Sequence, residues 1–385
     1  MKIVGIYFAN LNGSPSRGEA FIMAHLINKC LKWLLLAAAL GLPFGLYAKP
    51  GELVFLNWAD NFIDPVAITE FETAFKIKVR QVYFETEDKR TDMLIASDGK
   101  GYDVALIGGH NLQSYGQHGW LAPLETDRLP NLQHIDPRWR NAFPSADTYG
   151  VPFLWGTLGI AYREDLLHGP LEASWKPLFQ PPVEQRGHVL MMETIRYSLA
   201  VALKALGYSA NSINPTELAA AEQLLKNQRP FVKQYGALDI GPNSEMVSGQ
   251  ITMALLYNGD ALKLREFHPH IRFVTPREGT LITVDYFTVL AKSLQKELAH
   301  AFINFMNEPA RAAQLAKFAY YPTANRAAEP LLPPAFHQDP DIYPKPDLLN
   351  RSEIPQELPP RVLKQLNQLY RRVVGEPINR PWGQQ

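Results

Sequence analysis

ELVFLNWADNFIDPVAITEFETAFKIKVRQVYF, residues 52–84, is the stretch on which the fold turns. Its opening, Glu52–Asn57, is a short apolar run that suits a buried strand. Asp64 followed by Pro65 reads as an N-cap with proline in the first turn, opening a helix with Ile68, Phe71 and Phe75 on one face. Lys78–Phe84 then returns as a strand, and DVALIG at Asp103–Gly108 is another, closed by the turn Gly108-Gly109. Strand, helix and strand in this rhythm predict an α/β protein with a parallel or mostly parallel sheet.

The same style continues outward. Asn214, Pro215 and Glu217 mark a helix start, and the helix Leu218–Asn227 ends before Pro230. Ile251–Leu256 reads as a strand stopping at Asn258-Gly259, and Leu281–Leu290 is a long apolar run around one acid, Asp285. A helical pair begins at His300–Met306 and breaks at Pro309. No repeat of fixed period is present. Twelve prolines lie between Pro322 and Pro381, a density that enforces extended, wrapping backbone. Phe336, Ile342, Tyr343 and Leu348 predict that this tail packs on the body. Arg361–Val374 is helical in pattern, with Val362, Leu366, Leu369 and Val373 as its stripe.

Composition narrows the function. Of 385 residues 46% are hydrophobic and 11% aromatic, enough to bury a sizeable core, so disorder is excluded. Lys plus Arg (38) balances Asp plus Glu (38), which rules out a nucleic-acid binder held by bulk charge. The single cysteine, Cys30, permits neither an internal disulfide nor a Cys-based metal site. It lies beside LKWLLLAAALGLPFGLYA (Leu31–Ala48), an apolar run preceded by Lys29 and Lys32. This reads as a secretory signal over residues 1–48, cleaved after Ala48, with the true start at Met23. Gly41 and Pro43 interrupt the run, which is short for a membrane span; a retained anchor is the rival reading. A signal implies export. The exported chain is cysteine-free and faintly acidic.

Catalytic signatures are missing. The sequence contains no GxSxG, no HExxH and no Walker loop, and Gly108-Gly109 lacks the further glycine spacing of a dinucleotide loop, so no enzyme and no cofactor is expected. His268 and His270 lack a third ligand nearby, and no metal site is expected there.

Seven segments follow one another along the chain: FLNWAD (Phe55–Asp60), YDVALIG (Tyr102–Gly108), VPFLWGTLGIAY (Val151–Tyr162), LKALGYSANSINP (Leu203–Pro215), LLYNGDA (Leu255–Ala261), FINFMNEP (Phe302–Pro309) and YYPTAN (Tyr320–Asn325). Together they resemble the bacterial periplasmic polyamine-binding proteins, the spermidine/putrescine receptors of ABC importers. The ordered set spans nearly the whole exported chain. The resemblance implies a two-lobed periplasmic-binding-protein fold, each lobe a mostly parallel sheet flanked by helices, with the ligand in the cleft between them. It groups residues 49–156 with 281–330 as one lobe and 157–280 with 331–385 as the other. It also implies periplasmic location, a polyamine ligand and a monomer.

A polyamine is an apolar rod carrying ammonium groups, so its capture needs carboxylates at the nitrogen spacing and aromatic faces along the methylenes. The resemblance places Trp58 as an aromatic wall, Asp60 and Asp285 as acids, and Tyr321 as a pocket tyrosine. Tyr257 stands where a tryptophan is usual. Asn61 and His110 replace tyrosines, Gly108 a serine and Thr283 a tryptophan. Thr194 and Tyr197 occupy positions where the family places acids, with Glu193 one residue earlier as a substitute. Pro355 stands in place of a glutamine, near Glu353. Each candidate also has an ordinary reading: Trp58, Tyr197 and Tyr257 as core aromatics, Asp285 in a structural salt bridge, Asp60 as a cap, Glu193 on the surface.

Three functions are compatible with these residues. The first is delivery of the polyamine to an inner-membrane ABC permease. The second is a periplasmic sensor, tuned to an amine such as norspermidine and docking on a membrane signalling receptor. Ferric-ion binding through Tyr320-Tyr321 ranks below both, because the pair belongs to the polyamine-type segment YYPTAN.

Overall fold

The computed structural model describes residues 51–58 and 62–374. The expected leader and start site, and the candidates Asp60 and Asn61, lie outside the described residues.

Strand β1 (Glu52–Trp58) buries Leu53 to Leu56 completely, as a central strand covered on both faces must. Helix α1 (Pro65–Phe75) starts where the sequence places it: the Asp64 carboxylate accepts from the Val66 N–H at 2.9 Å. β2 (Lys78–Phe84) lies parallel to β1. Helix α2 (Glu87–Ser97), which carries little apolar periodicity, is capped by Thr86, whose side chain accepts from the Lys89 N–H. β3 (Val104–Gly108) is buried throughout and parallel to β1.

The sheet changes character at β4 (Gly150–Arg163). Its first half pairs antiparallel with β9 (Ile282–Val289), from Gly150 opposite Thr288 to Thr157 opposite Ile282. A bulge between Pro152 and Trp155 accommodates the proline, which cannot donate to the ladder. The second half pairs antiparallel with β7 (Met253–Tyr257) and β8 (Ile271–Val274). β5 (Val189–Met191) runs parallel to β7 and to β6 (Val232–Tyr235). Among the described residues the path is β2-β1-β3-β9-β4-β7-β5-β6, with β8 beside β4. The βαβ units give the parallel pairs that the sequence predicts. The strands threading the middle, β4 and β9, are antiparallel to their neighbours.

Three backbone segments meet where β4 passes from one half of the sheet to the other. Leu158 N–H donates to Leu281 O at 3.1 Å, Glu353 N–H to Thr280 O at 2.8 Å, and Ile282 N–H to Glu353 O at 2.9 Å. The Glu353 carboxylate is occupied by Lys204 Nζ at 3.1 Å and the Ala210 N–H at 3.0 Å, so it does not face the cleft.

Helices clothe both halves. α3 (Ile195–Ala205) and α4 (Pro215–Gln228) cover the second half, and α4 begins at the Asn214 cap. β7 stops at Asn258-Gly259 as the sequence reading places it, and α5 (Asn258–Arg265) follows directly, opened by these two residues. α6 (Lys296–Met306) and α7 (Pro309–Ala319) pack on the first half, Pro309 standing at the start of α7.

The tail divides between the cores. Leu332, Phe336 and Ile342 join the first one, together with Phe287 and Phe302. Grouping all of 331–385 with the second lobe is therefore corrected for this part. Instead of the extended backbone expected from its prolines, this part forms two short helices, Pro334–Gln338 and Pro346–Arg351, because proline is accommodated in a first helical turn. It is tied down where the Asn258 side chain donates to Asp341 O at 2.9 Å. Helix α8 (Pro360–Val374) then lays Val362, Leu366, Leu369 and Val373, the stripe expected from sequence, into the second core. Arg372 clasps Glu222 with two 2.7 Å bonds.

Candidate functional site

A cavity of about 450 Å³ opens at the carboxyl ends of β1, β2 and β3, the end at which open α/β sheets hold ligands. Trp58, the last residue of β1, forms one wall, its ring 4.6 Å from Phe84 and 6.5 Å from Phe62. Tyr257, at the end of β7, faces the cavity from the other half of the sheet, 6.2 Å from the Tyr197 ring. Phe62 extends the aromatic lining toward Tyr321, ring centroids 5.7 Å apart.

Asp285 lies on β9 in register with Gly108. Burial pushes its carboxyl up to about 7, against the opposing charge of Arg90 and the polar edge of the neighbouring Trp58 indole, while Glu87 and Asp260 add to the rise. Asp103 makes a useful contrast. That buried acid accepts from the Val54 N–H at 2.8 Å and from Ser293 at 2.6 Å, so its work is structural.

Asp260, in the first turn of α5, is the second cavity acid. Burial raises it to about 6, and the Tyr321 hydroxyl, donating at 2.8 Å, draws it down only in part. Tyr321 is seated by two glycines. A Cβ on Gly259 would lie 2.1 Å from its ring, and one on Gly156 would lie 2.7 Å away. Tyr320, at φ 60°, ends α7 and donates its hydroxyl to Glu266 at 2.8 Å. The tandem tyrosines thus serve two different carboxylates.

Glu87 is the third. It is the first residue of α2, its side chain 11% exposed, and it lines the cavity. His110 Nε2 stands 3.1 Å from one of its oxygens, and the Tyr197 hydroxyl donates to the other at 3.2 Å. Burial alone would raise Glu87; the charge and hydrogen bond of His110, the charge of Arg90 and the Tyr197 hydroxyl overcome it and hold it at about 2. Arg90 is fully buried behind the site, its guanidinium 5.2 Å from the Phe84 ring and 5.9 Å from that of Trp58.

The structure therefore gathers Trp58, His110, Tyr197, Tyr257, Asp285 and Tyr321 around one cavity. Glu193 is exposed at its rim, where burial and the neighbouring Asp88 raise its carboxyl. Gly108, Thr194, Thr283 and Pro355, the positions that depart from the family pattern, line the same space. Glu87 and Asp260 escaped the sequence reading. Asp260 lies within LLYNGDA, and Glu87 follows the carboxyl end of a strand, which is the signal that finds it. Among the described residues no group of three or more His, Cys, Asp or Glu is arranged to hold a metal ion, and the His268 and His270 rings sit 5.8 Å apart.

Comparison with known proteins places this cavity in context. The sequence profile of the bacterial extracellular solute-binding proteins matches residues 66–344. The spermidine/putrescine-binding periplasmic protein of Escherichia coli K12 is 29% identical over 318 residues, covering 82% of this chain and 90% of that protein. The putrescine-binding periplasmic protein PotF of the same organism is 25% identical over 346 residues, 85% of this chain and 92% of its own. Among solved structures, a putative spermidine/putrescine ABC transporter from Listeria monocytogenes superposes with a TM-score of 0.75 at 29% identity, covering 84% of this chain and 99% of that one. The spermidine/putrescine substrate-binding protein PotD of Streptococcus pneumoniae gives 0.72 at 26% identity, with 84% and 98% covered.

Proposed function

The chain belongs to the bacterial extracellular solute-binding proteins, and on that premise we propose that it captures a polyamine of the spermidine/putrescine kind between its lobes and delivers it to an inner-membrane ABC permease. The relatives named for spermidine and putrescine support this ligand class. One observation carries it to the residues: Asp285 is held up to about 7 by burial in an aromatic-walled cleft that Arg90 alone does not offset. A desolvated carboxyl among rings is a receptor for an alkylammonium. In this reading Asp285 pairs one nitrogen, Trp58 and Tyr257 cover the methylenes, and Asp260 with Tyr321 closes the far end. Residues 1–48 act as a signal peptide cleaved after Ala48, which delivers the chain to the periplasm.

Isothermal titration with putrescine, spermidine, norspermidine and spermine tests the proposal, and absence of binding by all four defeats it. Thermal denaturation is an independent check. Ligand at 100 times its dissociation constant should add roughly 2.7 kcal/mol to the folded state.

The cavity acids also fix the sign of the pH dependence. Asp260 at about 6 and Asp285 at about 7 stand above their unfolded value of 3.8, so the free folded state holds more protons than the unfolded chain. Their contribution to stability is complete below 3.8 and is lost as pH rises through 6 to 7. Glu87 acts oppositely: held at about 2 against 4.5, it stabilises above 4.5 and ceases to as pH falls toward 2. A cation prefers the ionised acids, whereas an isolated primary alkylammonium keeps its proton to about pH 10, so putrescine stays charged across the range in which the acids titrate. Affinity should therefore rise roughly tenfold or more between about pH 5.5 and pH 8, with protons released on binding. Titration in buffers of different ionisation enthalpy counts those protons; a pH-independent affinity would contradict the assignment.

A further inference from the structure

Resting on the polyamine reading above, we propose that Glu87 is the carboxylate that fixes one ammonium of the ligand and sets the amine spacing accepted by the cleft, with His110 and Tyr197 as its positioning residues. Neither the resemblance nor the acids at 60 and 285 point to this position. It follows from what surrounds the side chain.

Glu87 sits where β2 ends and α2 begins, at a helix N-terminus whose exposed amides favour negative charge. Its two oxygens are held from two directions, by His110 from the loop after β3 and by the Tyr197 hydroxyl from α3 on the other half of the sheet. Each carboxylate oxygen carries two acceptor sites, so a single contact apiece leaves room for an ammonium from the cavity side. Arg90, one turn further along α2, lies in the protein behind Glu87 and offsets the cost of burying the charge. The glycine at 108 is part of the same construction: a Cβ there would stand 2.7 Å from Glu87 Oε1. A side chain at 108 would push the carboxylate off its place.

The change at Tyr197 completes the picture. Where the family resemblance expects acids on this wall, the chain has Thr194 and a tyrosine whose hydroxyl points at Glu87. The negative charge has been transferred across the cleft, from the second half of the sheet to the first. Its distance from Asp285 then decides which pair of nitrogens can be satisfied together. Glu193 is exposed at the rim and serves encounter with the cation, not selection.

The test is calorimetric titration of the full chain with 1,3-diaminopropane, putrescine, cadaverine, norspermidine and spermidine. The proteins compared are the parent, Glu87→Gln, Glu87→Asp and a control at the exposed Asp127, which lies outside the cavity lining, Asp127→Asn, each with a melting curve. Glu87→Gln should weaken the best ligand roughly tenfold or more and compress the differences between amines, while Asp127→Asn keeps the parent affinities and ranking. Glu87→Asp retains the charge but withdraws it by about one bond length, and should shift the optimum toward a longer amine. It reads the same point should Glu87→Gln fold poorly. Two results would overturn the assignment: a lowered melting temperature with parent affinities and ranking, which makes Glu87 a brace between halves, or a uniform loss with the ranking unchanged. No binding of any amine by the parent would instead bring down the polyamine reading on which this rests.

Discussion

Asp285→Asn should weaken polyamine binding by roughly thirtyfold or more, yet leave the free protein as stable at pH 7 as its parent, or more so. Both halves of this expectation come from the carboxyl's position at about 7. In the empty cleft it is protonated about half the time, and an amide of the same shape replaces the neutral acid at little cost. In the complex it must be an anion opposing an ammonium from which water has been removed. Deleting one partner of such a buried pair costs about 2–5 kcal/mol, mostly from the charge left unpaired. Titration and thermal denaturation on the same preparation separate the two effects. Parent-like affinity for every amine would remove Asp285 from the ion pair; a large loss of stability would make it a structural acid like Asp103.

The second large effect lies outside the cleft. Gly279→Ala should destabilise the fold by roughly 2–4 kcal/mol. Gly279 has φ 88°, and a Cβ there would lie 2.1 Å from the Arg351 carbonyl oxygen and 2.5 Å from its carbon. These are backbone atoms, so no rotamer change relieves the clash. They belong to a segment locked by the Glu353–Thr280 and Ile282–Glu353 hydrogen bonds, and the Gly279 carbonyl itself accepts from Trp175 Nε1 at 2.9 Å. Gly207→Ala is the matched control. Its φ of 79° is as unfavourable, but nothing lies within 4 Å of the added methyl, so about 1–2 kcal/mol is expected there. Equal losses at the two positions would show that backbone strain, not the approach of the 351–353 segment, governs the first.

Much of this architecture is legible in the residues because local signals and burial agree. β1, β2 and β3 are short apolar or alternating runs between turn residues. α1 and α4 announce themselves with Asp64-Pro65 and Asn214-Pro215, and the stripe of α8 has a clear 3.6-residue period. Where an element depends on tertiary context, the sequence is silent. α2 is EDKRTDMLIAS, with Leu94 its only fully buried apolar residue and Arg90 in a place where a core side chain would ordinarily signal a helix. The reversed direction of β4 and β9 depends on which strands they join, and no single segment encodes that. Asn258-Gly259 has the composition of a turn. Its asparagine is instead a tether, accepting from the Thr157 N–H at 3.1 Å and donating to Asp341 O, and its glycine makes a floor for Tyr321.

The site divides along the same line. Trp58, Tyr257, Asp285 and Tyr321 stand in segments whose order is recognisable, and all four line the cavity. Glu87 and Asp260 lie in helical first turns, where an acid usually means no more than a favourable dipole interaction. Only the fold shows that both turns open onto the same hollow.

The divided tail fastens the two halves together. Leu332, Phe336 and Ile342 complete one core and the stripe of α8 completes the other, so releasing residues 331–374 would uncover apolar surface on both at once. Neither half can shed this layer without cost to its neighbour, which couples their local opening.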